Sequence, residues 1–140
     1  MTVLHVVPDT QLGGGNVNVA RLMRDRDSRA LLPRDALPEV EAVFDGLSFA
    51  RGGYPGRGGL VPMARAVLAQ AGPDDLVHAH GTRAAMAACL ARLRRPKLKV
   101  VYTVRGFHGL AQPGPLGLRV RAAQALARIV DATVFVSAAD

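Results

Sequence analysis

The chain is poor in the residues that several common chemistries require. It has a single cysteine, Cys89, so no second thiol can complete a metal shell. Cys89 falls on the apolar side of a helical pattern and reads as a small buried hydrophobe rather than a catalytic thiol. There is no Trp, and only two Tyr and four Phe. That leaves little to stack on single-stranded bases and argues against nucleic acid as a partner. No apolar run is long enough to span a bilayer, and Met1 leads straight into the strand-like TVLHVVP with no basic segment before it. These features predict a soluble, cytoplasmic domain. Hydrolytic nucleophile motifs such as G-x-S-x-G are missing, and the only two glutamates, Glu39 and Glu41, fall on a predicted strand away from any candidate site.

What is present in excess is arginine. Sixteen Arg and two Lys give a formal charge of +7, scattered along the chain rather than gathered in a run. Such a surface suits sugar phosphates or an anionic membrane face, which adds the inner face of the membrane to the expected location. At 140 residues the chain is one domain by length, large enough to bury a core.

The stretch from Asp75 to His108 organises the rest. Leu76–Ala79 and Val100–Val104 are short apolar runs of strand length, and between them Thr82–Arg94 sets Ala85, Ala88, Cys89 and Leu93 along one side of a helix. Strand, helix, strand is a βαβ unit, whose strands are parallel and whose carboxyl ends are where open α/β sheets bind ligands. That edge holds His80, Gly81, Thr82, Arg105, Gly106, Phe107 and His108. Before this unit, Val3–Val7 predicts a first strand, Asn16 caps a helix through about Asp25 with Val17, Ala20 and Met23 inward, and Arg29–Leu32 predicts a second strand. Glu41–Phe44 is taken as an edge strand. Ser48–Gly59 predicts a long loop whose Arg51, Tyr54 and Arg57 could meet an acceptor, disorder being the alternative. Leu60–Ala71 is a helix closed by Gly72-Pro73. After the unit come a glycine- and proline-rich loop over 106–117, a helix over Leu118–Val130 with Val120, Ala123, Ala127 and Val130 inward, and a strand at Thr133–Val136. Arg119, Arg121 and Arg128 form the outer face of that helix, solvated or turned to an acceptor or membrane. Six strands and four helices predict a doubly wound, Rossmann-like parallel α/β sheet of order 3-2-1-4-5-6.

Gly13, Gly14 and Gly15 lie between the first strand and its helix, where glycine lets backbone N–H groups approach a phosphate at a positive helix end. One reading is a diphosphate cradle; the other is a flexible loop without a ligand. Asp35 lies about twenty residues on, where a dinucleotide fingerprint wants an acid. But GGGNVN is not G-x-G-x-x-G, and the turn from Val7 to Asn16 is too long for that fingerprint. His78 and His80 alternate on one strand face and look like a metal pair, yet nothing nearby completes a shell beyond Asp74 and Asp75 at the strand's start, so no metal is expected. Either histidine could be a satisfied core residue; His80, closer to the carboxyl end, is favoured for ligand contact. Arg105 can hold a phosphate or sugar acid bidentately, His108 can donate to a hydroxyl or move a proton, and Phe107 packs the turn.

LVHAHGTRAAMAACLARL, then VVYTVRGFHGL, then a helix and DATVFVSAAD, resemble the amino-terminal half of GT-B fold retaining glycosyltransferases of family 4; LHVVPDTQLGGGNVNVARLM is similar to that family's first strand, glycine loop and helix. The resemblance is weakest between Leu31 and Gly59. It implies two facing Rossmann-like domains with the reaction in the cleft between them. The carboxy-terminal domain would hold most of the nucleotide-sugar through two glutamates seven residues apart. With only Glu39 and Glu41, this chain lacks that motif and is expected to be one half of a GT-B architecture, a natural truncation or a piece of a longer chain. The resemblance implies a nucleotide-sugar co-substrate and no cofactor, a glycan or lipid-linked acceptor of the kind used in cell-envelope polysaccharide, contact with the other half, a peripheral membrane contact, and little activity alone. Gly13, Gly14 and Gly15 would meet the donor diphosphate, and His80, Gly81, Thr82, Gly106 and Phe107 would line the acceptor cleft. Where the family has a histidine before Gly-Phe, Arg105 stands here. The catalytic role then falls to Arg105 or His108. The residues alone leave open a free-standing nucleotide- or phosphate-binding module, or an interaction domain that pairs with a separate half.

Overall fold

The computed structural model describes residues 1–105 and 115–135. Six strands form one sheet: β1 (Val3–Val6), β2 (Ser28–Leu32), β3 (Phe49–Arg51), β4 (Leu76–His80), β5 (Lys99–Val104) and β6 (Ala132–Phe135). All neighbours pair in parallel, in the order β3-β2-β1-β4-β5-β6, as expected from the alternation of strand and helix patterns. The helices are α1 (Gly14–Met23), α2 (Pro38–Val43), α3 (Leu60–Gln70), α4 (Thr82–Arg94) and α5 (Pro115–Ile129).

Strand side chains alternate between two apolar layers. Leu4, Val6, Leu31, Val77, Ala79, Val100, Tyr102 and Val104 pack with α3, α4 and Leu126 of α5. Val7, Ala30 and Leu32 pack with Val19, Ala20 and Met23 of α1 and Val40 of α2. Helix α4 buries Ala84, Ala85, Ala87, Ala88 and Ala91, so its contact face is almost entirely alanine and its backbone can approach both α3 and the sheet. Cys89 is half-buried against this layer, and burial raises its thiol pKa, in keeping with a packing role. Leu93, expected inward, is 76% exposed: two residues past the fully buried Ala91, it lies about 200° around the helix, on the far face.

The segment between β2 and α3 corrects the expectation most. Glu41–Phe44 is not a strand. Pro38 opens α2 in its first turn, where a missing N–H costs nothing, and Glu39 and Glu41 sit at the positive end of that helix. Val40 and Phe44, four apart, both point into the core. The third strand is instead Phe49–Arg51, inside the stretch expected to be loop; it pairs Ala30 to Leu32 with Phe49 to Arg51. The helices therefore number five rather than four. In α1, Asn16, Val19, Ala20 and Met23 face inward, while Val17 is exposed. Arg121 and Arg128 of α5 are exposed. The expectations for the side chains of Arg119, Val120 and Ala123, and for Val136, lie outside the described part of the chain. No helix among the described residues is long and apolar enough to cross a membrane.

Candidate functional site

The parallel register brings the carboxyl ends of β1, β4 and β5 side by side: His5 stands opposite His78, and His80 opposite Thr103. Beyond β4 the chain turns through Gly81, whose φ of 89° is the left-handed region that favours glycine, and its N–H donates to the Thr103 carbonyl at 3.0 Å. Thr82 opens α4, and its hydroxyl is 2.9 Å from the Tyr102 hydroxyl on the α3–α4 side of the sheet. Thr82, expected to line the cleft, is thus turned toward the α3–α4 side of the sheet.

His5, His78 and His80 project to the face that carries α1. The rings of His78 and His80 stack with centroids 4.1 Å apart, and His5 lies 5.1 and 5.2 Å from them. Arg105, just past β5, reaches back into this group. One guanidinium nitrogen, Nη2, donates to the Gly15 carbonyl at 3.1 Å and to His80 Nδ1 at 3.0 Å. A guanidinium has only donors, so His80 Nδ1 must be an acceptor and its proton must sit on Nε2. That Nε2 is 2.9 Å from His5 Nδ1, which therefore accepts, leaving the His5 proton on Nε2. His5 Nε2 is buried with no hydrogen-bond partner among the described residues. His78 Nε2 pairs with the Thr103 hydroxyl at 2.6 Å.

The electrostatics agree with three neutral rings. Burial, then His78 and Arg26, lowers the His5 imidazole from 6.5 to about 4. Burial and then Arg105 lower His78 to about 4. His80 is held well below its ordinary value by burial first, then by His78, Arg105 and His5. Burial also lowers the Arg105 pKa, with Asp9 opposing.

Three imidazoles whose ligand atoms lie within 4.8 Å of one another are a geometric candidate for a metal centre. The hydrogen bonds count against it. His80 presents one nitrogen to a guanidinium and the other to His5, and a metal on His80 Nε2 would move its proton to Nδ1, against Arg105. The Arg105 charge would also repel the cation. His5 and His80 form a hydrogen-bonded relay that ends on Arg105, with His78 stacked beside it and bonded to Thr103.

Gly14 and Gly15 are not loop residues. Gly13 is the N-cap, in extended backbone, and α1 begins at Gly14; Asn16, expected as the cap, lies inside the first turn. Its amide donates to the Gln11 carbonyl at 2.8 Å and so holds the β1–α1 loop. Among the described residues, a Cβ on Gly13 or Gly14 would meet nothing within 4 Å, whereas one on Gly15 would overlap the Arg105 guanidinium. The start of α1 at Gly13 and Gly14 is thus free of side chains beside a cation, and a positive helix end of this kind can receive an anion.

A second set of side chains holds the loops around this edge. Arg83, in the first turn of α4, donates to the carbonyls of Pro8 at 3.2 Å, Pro55 at 3.1 Å and Gly56. It therefore clamps the β1–α1 loop to the loop before α3. Tyr54, expected to meet an acceptor, is fully buried instead; its hydroxyl lies 2.9 Å from the Val7 carbonyl and 2.8 Å from that of Leu31 and donates between them. Arg51 is paired with Glu41 of α2 and donates to the Arg34 carbonyl at 2.9 Å, so it belongs to the edge of the sheet rather than to the cleft. Arg57 is exposed.

The sequence brought Gly15, His80 and Arg105 forward, and the structure joins them. It missed His5 and Arg83. The signal for His5 was a lone imidazole in an otherwise apolar strand; for Arg83, only its place in the turn after Gly81. Gly106, Phe107 and His108, and most of the 106–117 loop, lie outside the described residues. In comparison with known proteins, residues 13–140 match a family model described as a glycosyl transferase 4-like domain. No curated protein matches the chain.

Proposed function

The chain belongs to the glycosyl transferase 4-like family, and we propose that it is the acceptor-side domain of a GT-B glycosyltransferase that uses a nucleotide-sugar and transfers with retention. The observation that carries the reading is the open first turn of α1 with Arg105 drawn across it. N–H groups at a positive helix end and a guanidinium beside them suit the donor diphosphate. In this reading Gly13, Gly14 and Gly15 receive the diphosphate. His80 and Gly81 shape the cleft floor, and Arg105 neutralises charge on the phosphate or sugar, with His108 the second candidate for the chemical step. A second domain supplies the nucleotide pocket, and a glycan or lipid-linked acceptor enters past the loops of the carboxyl edge. The basic surface fits work on the cytoplasmic side of a membrane.

The test is calorimetry of the chain with nucleotide-sugars, free nucleotides and NAD(P), alone and with a carboxy-terminal half of the same family added. Donor binding only when both halves are present supports the reading. Tight NAD(P) binding by the chain alone overturns it in favour of a free-standing nucleotide-binding module.

A further inference from the structure

We infer that His5 is a positioning residue: its Nδ1 accepts the Nε2–H of His80, selects the His80 tautomer whose Nδ1 receives Arg105, and so holds the guanidinium over the first turn of α1. The functional consequence rests on the reading of Arg105 as an anion contact; the tautomer assignment does not. The argument runs from the one group whose protonation is not in question. Arg105 Nη2 donates at 3.0 Å to His80 Nδ1, so a proton on that nitrogen would set two donors against each other in a residue only 1% exposed. His80 must therefore donate from Nε2, and within 2.9 Å the acceptor is His5 Nδ1.

The cost of the arrangement falls on His5. Its Nε2–H is buried without a partner among the described residues, although Val7, two residues on and on the same α1 face, is a fully buried aliphatic side chain. A buried donor with no acceptor is unfavourable. An aliphatic residue at position 5 would avoid that cost, so what imidazole contributes there is its Nδ1 acceptor. The relay crosses three strands and ends at the Gly15 carbonyl, where Arg105 is also within reach of an anion at the α1 terminus.

The experiment uses the full 140-residue chain labelled with 15N and reads the histidine tautomers by long-range proton–nitrogen correlation at pH 7. His5 and His80 should both carry the proton on Nε2; a proton on Nδ1 of either ring overturns the inference without any variant. His5→Asn places an amide oxygen near the position of Nδ1, while His5→Leu removes the acceptor. The Asn variant should keep the His80 Nε2–H signature. The Leu variant should lose it and bind inorganic pyrophosphate about tenfold more weakly. A folded Leu variant with His80 unchanged overturns the inference. If pyrophosphate binds neither the wild type nor the variants while the tautomers behave as stated, the anion reading fails and the positioning of Arg105 by His5 stands.

Discussion

The Arg105 guanidinium lies against Gly15, donating to its carbonyl at 3.1 Å in space that a Cβ would fill. The absence of a side chain at position 15 is therefore what lets the end of β5 touch the start of α1. Gly15→Ala separates the site from the fold. Alanine is the better helix former by about 0.5–1 kcal/mol, and the obstacle is the end of a flexible side chain, so the variant should fold with unchanged or higher stability. It should also bind pyrophosphate more weakly, because Arg105 is pushed off its place. Thermal unfolding and calorimetry on the same sample check both halves. Unchanged pyrophosphate affinity would show that Arg105 does not serve an anion from this position.

Tyr54→Phe tests whether the loop before α3 is fastened to the sheet by one hydroxyl. The variant takes the buried donor from the Val7 carbonyl, while the Leu31 carbonyl keeps the Val7 N–H at 3.0 Å, and should cost about 1–3 kcal/mol, read as a lower midpoint in urea at constant slope. A change within error would mean that both carbonyls are satisfied without it.

Arg83→Met keeps the aliphatic stem and removes the bonds to Pro8, Pro55 and Gly56. The expected outcome is faster proteolytic cleavage in the 53–59 and 8–12 loops with the α4 layer intact. Cleavage rates equal to wild type would show that the clamp does not restrain these loops.

The buried histidines make stability depend on pH in a defined direction. In the unfolded chain an imidazole takes up a proton near pH 6.5, whereas His5 and His78 in the folded protein do so only near 4. Between those values the unfolded state binds more protons, so the contribution of these two rings to stability is lost as pH drops from about 6.5 to about 4, and His80, held well below its ordinary value by burial, adds to the fall in the same direction. His5, nearly fully buried, contributes at most about 3 kcal/mol over that window. His78, half-buried, contributes less. The urea midpoint at pH 7, 5.5 and 4 gives the slope, and His5→Asn should flatten it; an equally steep fall in that variant would place the titration elsewhere.

Much of the architecture was legible from residue order because it is local. An apolar run followed by an amphipathic helix and another run can close only as a parallel crossover unit, and repeating it yields the observed sheet. The same locality set Gly15, His80 and Arg105 at one edge, since each follows or precedes a strand by a few residues. The error at Glu41–Phe44 has a local cause too. Six residues with three apolar positions, Val40, Ala42 and Val43, fit a short strand and a short helix equally, and Pro38 with the acids of the first turn decided for helix.

By itself, the amino-acid sequence determined the fold class and strand order, which follow from periodicity and the succession of elements, and the family, which its motifs carry by resemblance. Only the tertiary structure decided the partners. His5 meets His80 across 75 positions, Arg105 meets Gly15 across 90, and Arg83 meets Pro8 across 75. Such contacts depend on strand register and on which way each side chain leaves its pleat, and a one-residue shift in register would send His5 into the opposite apolar layer. No local pattern carries that information, so the relay and the clamp became visible only when the strands were set side by side.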